Sequence, residues 1–252
     1  MTKTDTRSKA EPRRSALDRE VAIRLAATEY GRFLDMLRSL SPEDWTLPTD
    51  CPAWDVRQMA AHCLGMAELA ASPEEGARQN EVAHRRGGVF IDALTGLQVE
   101  ERGNMTPEEL IQRYAEVGPL AAQCRRETPA EVLAMTMPGV QIVNGEQEHW
   151  VLGFLVDTIL TRDTWMHRVD TARATGRDLV LTPEHDGAIV ADVVAEWAGR
   201  HGMPHTLVLT GPAGGRWSRG DGPELELDAV EFCRVLSGRG HGDGLLGVEV
   251  PF

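Results

Sequence analysis

The chain of 252 residues has only four cysteines, Cys51, Cys63, Cys124 and Cys233, and none forms a CxxC pair. That removes the cysteine-rich zinc modules and the disulfide-stapled secreted scaffolds, and leaves buried free thiols as the reading. A long apolar run is also missing. No stretch approaches the roughly 18 uninterrupted apolar residues of a membrane span, so no membrane partner is expected. No basic segment followed by an apolar one opens the chain, and the expectation is a cytoplasmic protein without a secretory signal. Excess positive charge is absent too: 26 Lys and Arg stand against 39 Asp and Glu, a net charge of -13. Phosphate backbones demand clustered cations, and the basic residues here are scattered, which excludes a nucleic-acid partner. Nor is there a GxSxG elbow or a GKS/GKT phosphate loop.

What is present is helical periodicity. The first segment, MTKTDTRSKAEPRRS, can bury nothing, and residues 1–15 read as a disordered tail. From 16 to 200, apolar residues recur at steps of three and four, which predicts a mainly α bundle. Helices are expected over Ala16–Leu40, Asp55–Ala71, a shorter piece at Val82–Leu94, from Thr106 to just before Pro129, Glu148–Ala174 and Thr182–Gly199. Ser41-Pro42 stops the first, Asp55 caps the second, Thr106-Pro107-Glu108-Glu109 opens the fourth, and Gly176 ends the fifth. The polar stretch SPEEGARQN reads as a loop. Residues 201–252 change pattern into a small α+β unit. It holds strands at His205–Thr210, Arg216–Arg219 and Glu224–Asp228, a helix capped by Asp228, and a last strand at Leu246–Val250. Gly211–Gly215 is a turn rather than a phosphate loop, since a strand follows it. A unit that small must pack on the rest.

The chemistry concentrates on the Glu148–Ala174 helix. Leu152, Val156, Ile159, Asp163, His167, Asp170 and Ala174 follow at steps of three and four, so one stripe runs from apolar to ionisable. Burying such groups costs several kcal/mol unless they pair or bind a metal. An acid and a histidine four apart on a helix can share one ion. On the second helix, Met59, His62 and Met66 form another inward stripe. Two stripes meeting across a bundle would bring His62, Asp163 and His167 to one ion, as bundle cores do elsewhere. The competing reading is a satisfied core histidine and a plain i,i+4 pair. Asp170 could orient the ring of His167 or pair with Arg173. Trp54, Trp150 and Trp165 are core or pocket wall. His84, His149, His185, His201, His205 and His241 have no partner at ligand spacing.

Two segments carry a resemblance. CPAWDVRQMAAHCLG (Cys51–Gly65) resembles the first signature of the maleylpyruvate isomerase family, mycothiol-dependent enzymes with the DinB-like four-helix bundle. TRDTWMHRVDTARATGR (Thr161–Arg177) is similar to the second signature, an acid followed at four by His and at seven by Asp. The segment TGPAGGRW through DAVEFCRVLSGR is similar to the α+β domain that follows the bundle in many members. The resemblance implies a DinB-like bundle followed by a small α+β domain. It also implies a divalent metal, zinc the favoured ion, on His62, Asp163 and His167. The acid is Asp where the family often carries Glu. The shorter arm draws the ion toward the helix or reaches it through water. Three ligands leave an open position, the mark of a catalytic ion. The implied activity is isomerisation or S-transfer on a small electrophile with a low-molecular-weight thiol such as mycothiol. The substrate would lie between bundle and C-terminal unit, with Arg216 and Arg219 as candidate anion anchors. A metal-dependent hydrolase and a non-catalytic small-molecule-binding protein remain the rival classes.

Overall fold

The computed structural model describes residues 11–252. Of the expected disordered tail, residues 1–10 lie outside the described residues. Residues 11–15 are a correction: the Arg13 backbone bridges to Trp150, and the Ser15 hydroxyl lies 2.9 Å from that of Thr158. Arg13 is polar yet held, because Glu148 accepts from its guanidinium at 3.1 Å.

Helix α1 (Arg19–Ser39) starts where the Asp18 carboxylate accepts from the amides of Glu20 and Val21. Helix α2 (Val56–Ala71) opens on a capping box in which Asp55 and Gln58 satisfy each other's backbone amides. Helices α3 (Pro73–Arg86) and α4 (Phe90–Glu101) follow. They replace the expected loop and single helix, the break falling at Gly87 and Gly88, both with positive φ. Helix α5 (Pro107–Glu127) has the second capping box, between Thr106 and Glu109. A short α6 (Ala130–Leu133) and a hairpin of β1 (Gln141–Val143) and β2 (Glu146–Glu148) come next. The expected long helix therefore begins later. It runs as α7 (Leu152–Phe154), a π turn (Leu155–Ile159) and α8 (Leu160–Thr175), ending on Gly176 in the left-handed region. Helix α9 (Ala188–His201) follows a π turn at Pro183–Gly187.

Helices α1, α5, α2 and α8 touch in a closed ring, each packing on the next, which makes the four-helix bundle. Helices α3 and α4 lie outside it against α2. The C-terminal part has β3 (His205–Thr210) between antiparallel β4 (Gly215–Arg219) and parallel β5 (Glu224–Asp228), then α10 (Ala229–Leu236). The expected strand at Leu246–Val250 does not form; a 3-10 turn at Gly244–Gly247 stands there.

One apolar cluster lies among α1, α2 and α5, around Phe33, Leu64 and Tyr114. A second joins Trp165, Met166 and Val169 of α8 to Val193 and Trp197 of α9, Leu207 of β3 and Phe232 of α10. Helix α8 therefore sits between two cores and is buried on nearly every side. Its face is not the single stripe expected, since Leu152 and Val156 are only half-buried. A helix buried all round must dispose of every polar side chain it carries. Arg162 does so with Asp192 and Glu196, both at 2.6 Å, and Arg168 with Glu29 and Asp186, both at 2.7 Å.

Candidate metal centre

The cap at Asp55 sets the start of α2, and two turns later its inward face presents His62. Helix α8 presents Asp163 and His167 one turn apart. The structure brings these three together, with one ligating atom from each within 4.8 Å of the others. Asp163 Oδ1 is 3.5 Å from His62 Nε2 and 3.3 Å from His167 Nε2. The two rings stand edge to face at 5.0 Å, and Trp54 closes over them at 4.9 Å from His62 and 6.0 Å from His167.

Proton positions follow from the partners behind the rings. His167 Nδ1 is 3.1 Å from Asp170 Oδ2, and a carboxylate can only accept. The Asp170 carboxylate is itself gripped by Arg239, at 2.8 Å from Nε and 2.8 Å from Nη2. His62 Nδ1 is 2.8 Å from Gln98 Oε1, again an acceptor. Both Nδ1 atoms thus donate, which leaves each Nε2 to face Asp163 Oδ1 either with a lone pair or with a second proton. Three acceptors facing one point repel unless a cation or a proton stands between them. The second oxygen of Asp163, buried Oδ2, has no hydrogen-bond partner among the described residues.

The electrostatics agree. Burial pushes the Asp163 carboxyl up, but facing His167 and His62 outweigh it and hold the carboxyl below the usual carboxylate range. Burial works against a charged His167, and Asp163 opposite outweighs it, raising that imidazole well above its ordinary value. Each group calls for one positive charge in the shared space. A divalent cation meets that demand with the donor set present, two imidazoles and a carboxylate.

Other expectations resolve differently. Asp170 orients His167, while Arg173 pairs with Asp50 at 3.0 Å and Glu231 at 2.9 Å. Trp150 lies in a small cluster with Phe154, and Trp165 donates to Asp186, so Trp54 alone of the three borders the site. Arg216 and Arg219 are not brought to it: Arg216 pairs with Glu224 on exposed strand and Arg219 donates to the Ala198 carbonyl. The arginine that does arrive is Arg239, from the turn after α10. Nothing in its spacing marks it beyond a glycine on either side. Gln98 was equally silent, a lone amide in the apolar run IDALTGLQV. Cys51 lies beside this group, 3.8 Å from Asp170 Oδ2 and 3.6 Å from Arg239 Nη2. Cys63, one residue past His62, is fully buried, and that burial pushes its thiol up. Two hollows, of about 460 Å³ between α1 and α5 and about 620 Å³ around Glu68 and Arg102, are lined by none of the three convergent residues.

Residues 26–172 match the family model described as the mycothiol maleylpyruvate isomerase N-terminal domain. A search of curated protein sequences gave no match. Two solved structures share the fold. One is a mycothiol-dependent maleylpyruvate isomerase, 17% identical, covering 90% of this chain and 92% of its own, with a TM-score of 0.56. The other is a histidine-to-alanine mutant of such an isomerase, 15% identical, covering 89% of this chain and 90% of its own, with a TM-score of 0.53.

Proposed function

The chain belongs to the mycothiol maleylpyruvate isomerase N-terminal domain family, and on that premise we propose that it is a metal-dependent isomerase of a small electrophile. A low-molecular-weight thiol such as mycothiol serves as cosubstrate. His62, Asp163 and His167 hold the ion, zinc being the favoured one. The observation that carries this reading is the convergence of two imidazole Nε2 atoms and a carboxylate, with each ring's Nδ1 facing an acceptor elsewhere. Held by these residues, the ion would supply Lewis acidity that lowers the pKa of a thiol.

The chain's own residues prepare that chemistry. Asp163 contributes one negative charge, and the imidazoles enter neutral, so the site stays net positive and favours a thiolate. Asp170, gripped by Arg239, keeps the His167 proton on Nδ1. Trp54 packs against the two rings and walls that side of the site. A thiolate adds to one carbon of an activated double bond, and the resulting single bond rotates. Expelling the thiolate restores the double bond in the other geometry, with no net oxidation. If the adjacent carbanion instead takes up the proton that the thiol gave up, the thioether is retained, and S-conjugation is the second outcome of the same addition.

The test is turnover of maleylpyruvate by the metal-loaded protein with and without mycothiol. The expected result is isomerised product only when thiol is present, with the thiol recovered unchanged. Product formed without thiol, with water incorporated, replaces this reading by hydrolysis.

A further inference from the structure

We infer that Gln98 and Gln79 are positioning residues that fix which nitrogen of His62 faces the ion, and that they do so without adding charge to the centre. The inference rests on the metal reading above. Gln98 is fully buried on α4, which is outside the four-helix ring. It reaches His62 because α2 carries glycine at position 65. A Cβ there would come within 2.5 Å of Gln98 Cγ and 2.6 Å of its Cβ. With no side chain on Gly65, the Gln98 amide lies flat on α2 and meets the ring one turn earlier.

An amide can turn over and exchange its donor and acceptor ends, so something must hold it. Gln98 Nε2 donates to Gln79 Oε1 at 2.9 Å. The Gln79 amide is held in turn, because its Nε2 donates to the Gly65 carbonyl at 3.1 Å and to Glu75 Oε1 at 2.9 Å. Both of those partners can only accept, so the direction of the whole relay is set from its far end. Gln79 must offer its oxygen to Gln98, Gln98 must offer its oxygen to His62, and His62 must carry its proton on Nδ1. Reversed, the amide would donate to Nδ1 and place the ring proton on Nε2, facing the ion.

The two imidazoles are thereby supported by unlike means. His167 leans on a carboxylate, Asp170, whose charge Arg239 balances. His62 leans on a neutral amide, and no cation is required behind it. With Asp163 as the one unbalanced acid, the centre keeps its positive charge for an incoming thiolate.

The test is zinc affinity by competition with a chromogenic chelator, on full-length protein with folding followed by circular dichroism. Gln98→Leu is expected to weaken zinc binding about 10- to 100-fold. Gln98→Glu, which still accepts from Nδ1, is expected to hold zinc within a few-fold of wild type. Gln79→Met, which touches neither His62 nor the ion, is expected to weaken zinc measurably by freeing the Gln98 amide. It keeps the inference testable should Gln98→Leu not fold. Wild-type affinity in Gln98→Leu or in Gln79→Met overturns the relay. So does equal loss in folded Gln98→Leu and Gln98→Glu. A wild-type protein that binds no zinc removes the metal reading itself, and the relay with it.

Discussion

At the scale of single residues, α8 separates polar groups with a partner from polar groups without one. Arg162 and Arg168 are as buried as His167, yet each is closed off by two carboxylates. Asp163 keeps one buried oxygen unpaired. Sequence spacing could not make that distinction, because an Asp-x-x-x-His step reads alike whether or not the pair is complete. It did place His62, Asp163 and His167 on inward faces, since past the π turn α8 is regular and the steps of four and three keep their meaning. Arg239 and Gln98 stayed hidden because their roles come from contacts across the chain, with Asp170 and His62. Asp186 gives a residue-scale prediction. Its side chain has no exposure, and it accepts from Arg168, Arg32, Trp165 and the Thr182 amide. Burial pushes its carboxyl up, but Arg168 and the other donors outweigh it and leave it below the ordinary value. Its stabilisation is therefore full above about pH 4, the unfolded carboxylate range, and is lost as pH falls through the depressed folded value. Asp186→Asn should cost about 3–5 kcal/mol in urea unfolding at neutral pH. The difference from wild type should shrink on acidification, and a difference independent of pH would contradict the assignment.

At the scale of elements, terminators were more legible than fillings. Thr106-Pro107-Glu108-Glu109 marks the start of α5, and the structure has the capping box there. Ser72-Pro73-Glu74-Glu75 is the same signal, and Ser72 does cap α3. It reads as loop because the helix is polar and carries Gly76; its buried face is Gly76, Gln79 and Ala83, small and amide groups that periodicity does not count. The hairpin before α7 turns on Asn144-Gly145, both at positive φ, a pair that favours tight β turns. Its strands are only three residues each, too short for alternation to show. Helix α2 yields a prediction at this scale. Asp55→Ala removes half of the capping box and should lower stability by about 1 kcal/mol, read from the urea midpoint. Metal affinity should stay near wild type, because His62 lies two turns inside the helix. A loss of metal larger than the loss of stability would show that the cap positions the site directly.

At the scale of the whole molecule, the bundle and the C-terminal sheet share one core rather than touching at a seam. Phe232 of α10 is fully buried, 5.4 Å from the ring of Trp197, in the cluster that includes Trp165 and Val169 of α8. The change of pattern near residue 200 was legible, and so was the need for a small unit to pack on the helices. The depth of that packing was not, because it depends on α8 being buried on both sides. Phe232→Ala should cost about 3–5 kcal/mol and lower a single unfolding transition. A melt in which the helices persist after the sheet is lost would contradict a shared core. The same interlock puts Arg239 on Asp170, so the C-terminal part contributes to the support behind His167.

Everything functional turns on whether residues 62, 163 and 167 hold an ion. The direct measurement is metal content of freshly purified protein by plasma mass spectrometry, beside His62→Ala prepared identically. Close to one equivalent of a divalent metal in the wild type, largely gone in the variant, is the predicted result. Well under one equivalent, unchanged by the substitution, would leave a proton rather than an ion between the imidazoles and Asp163 and would contradict the account.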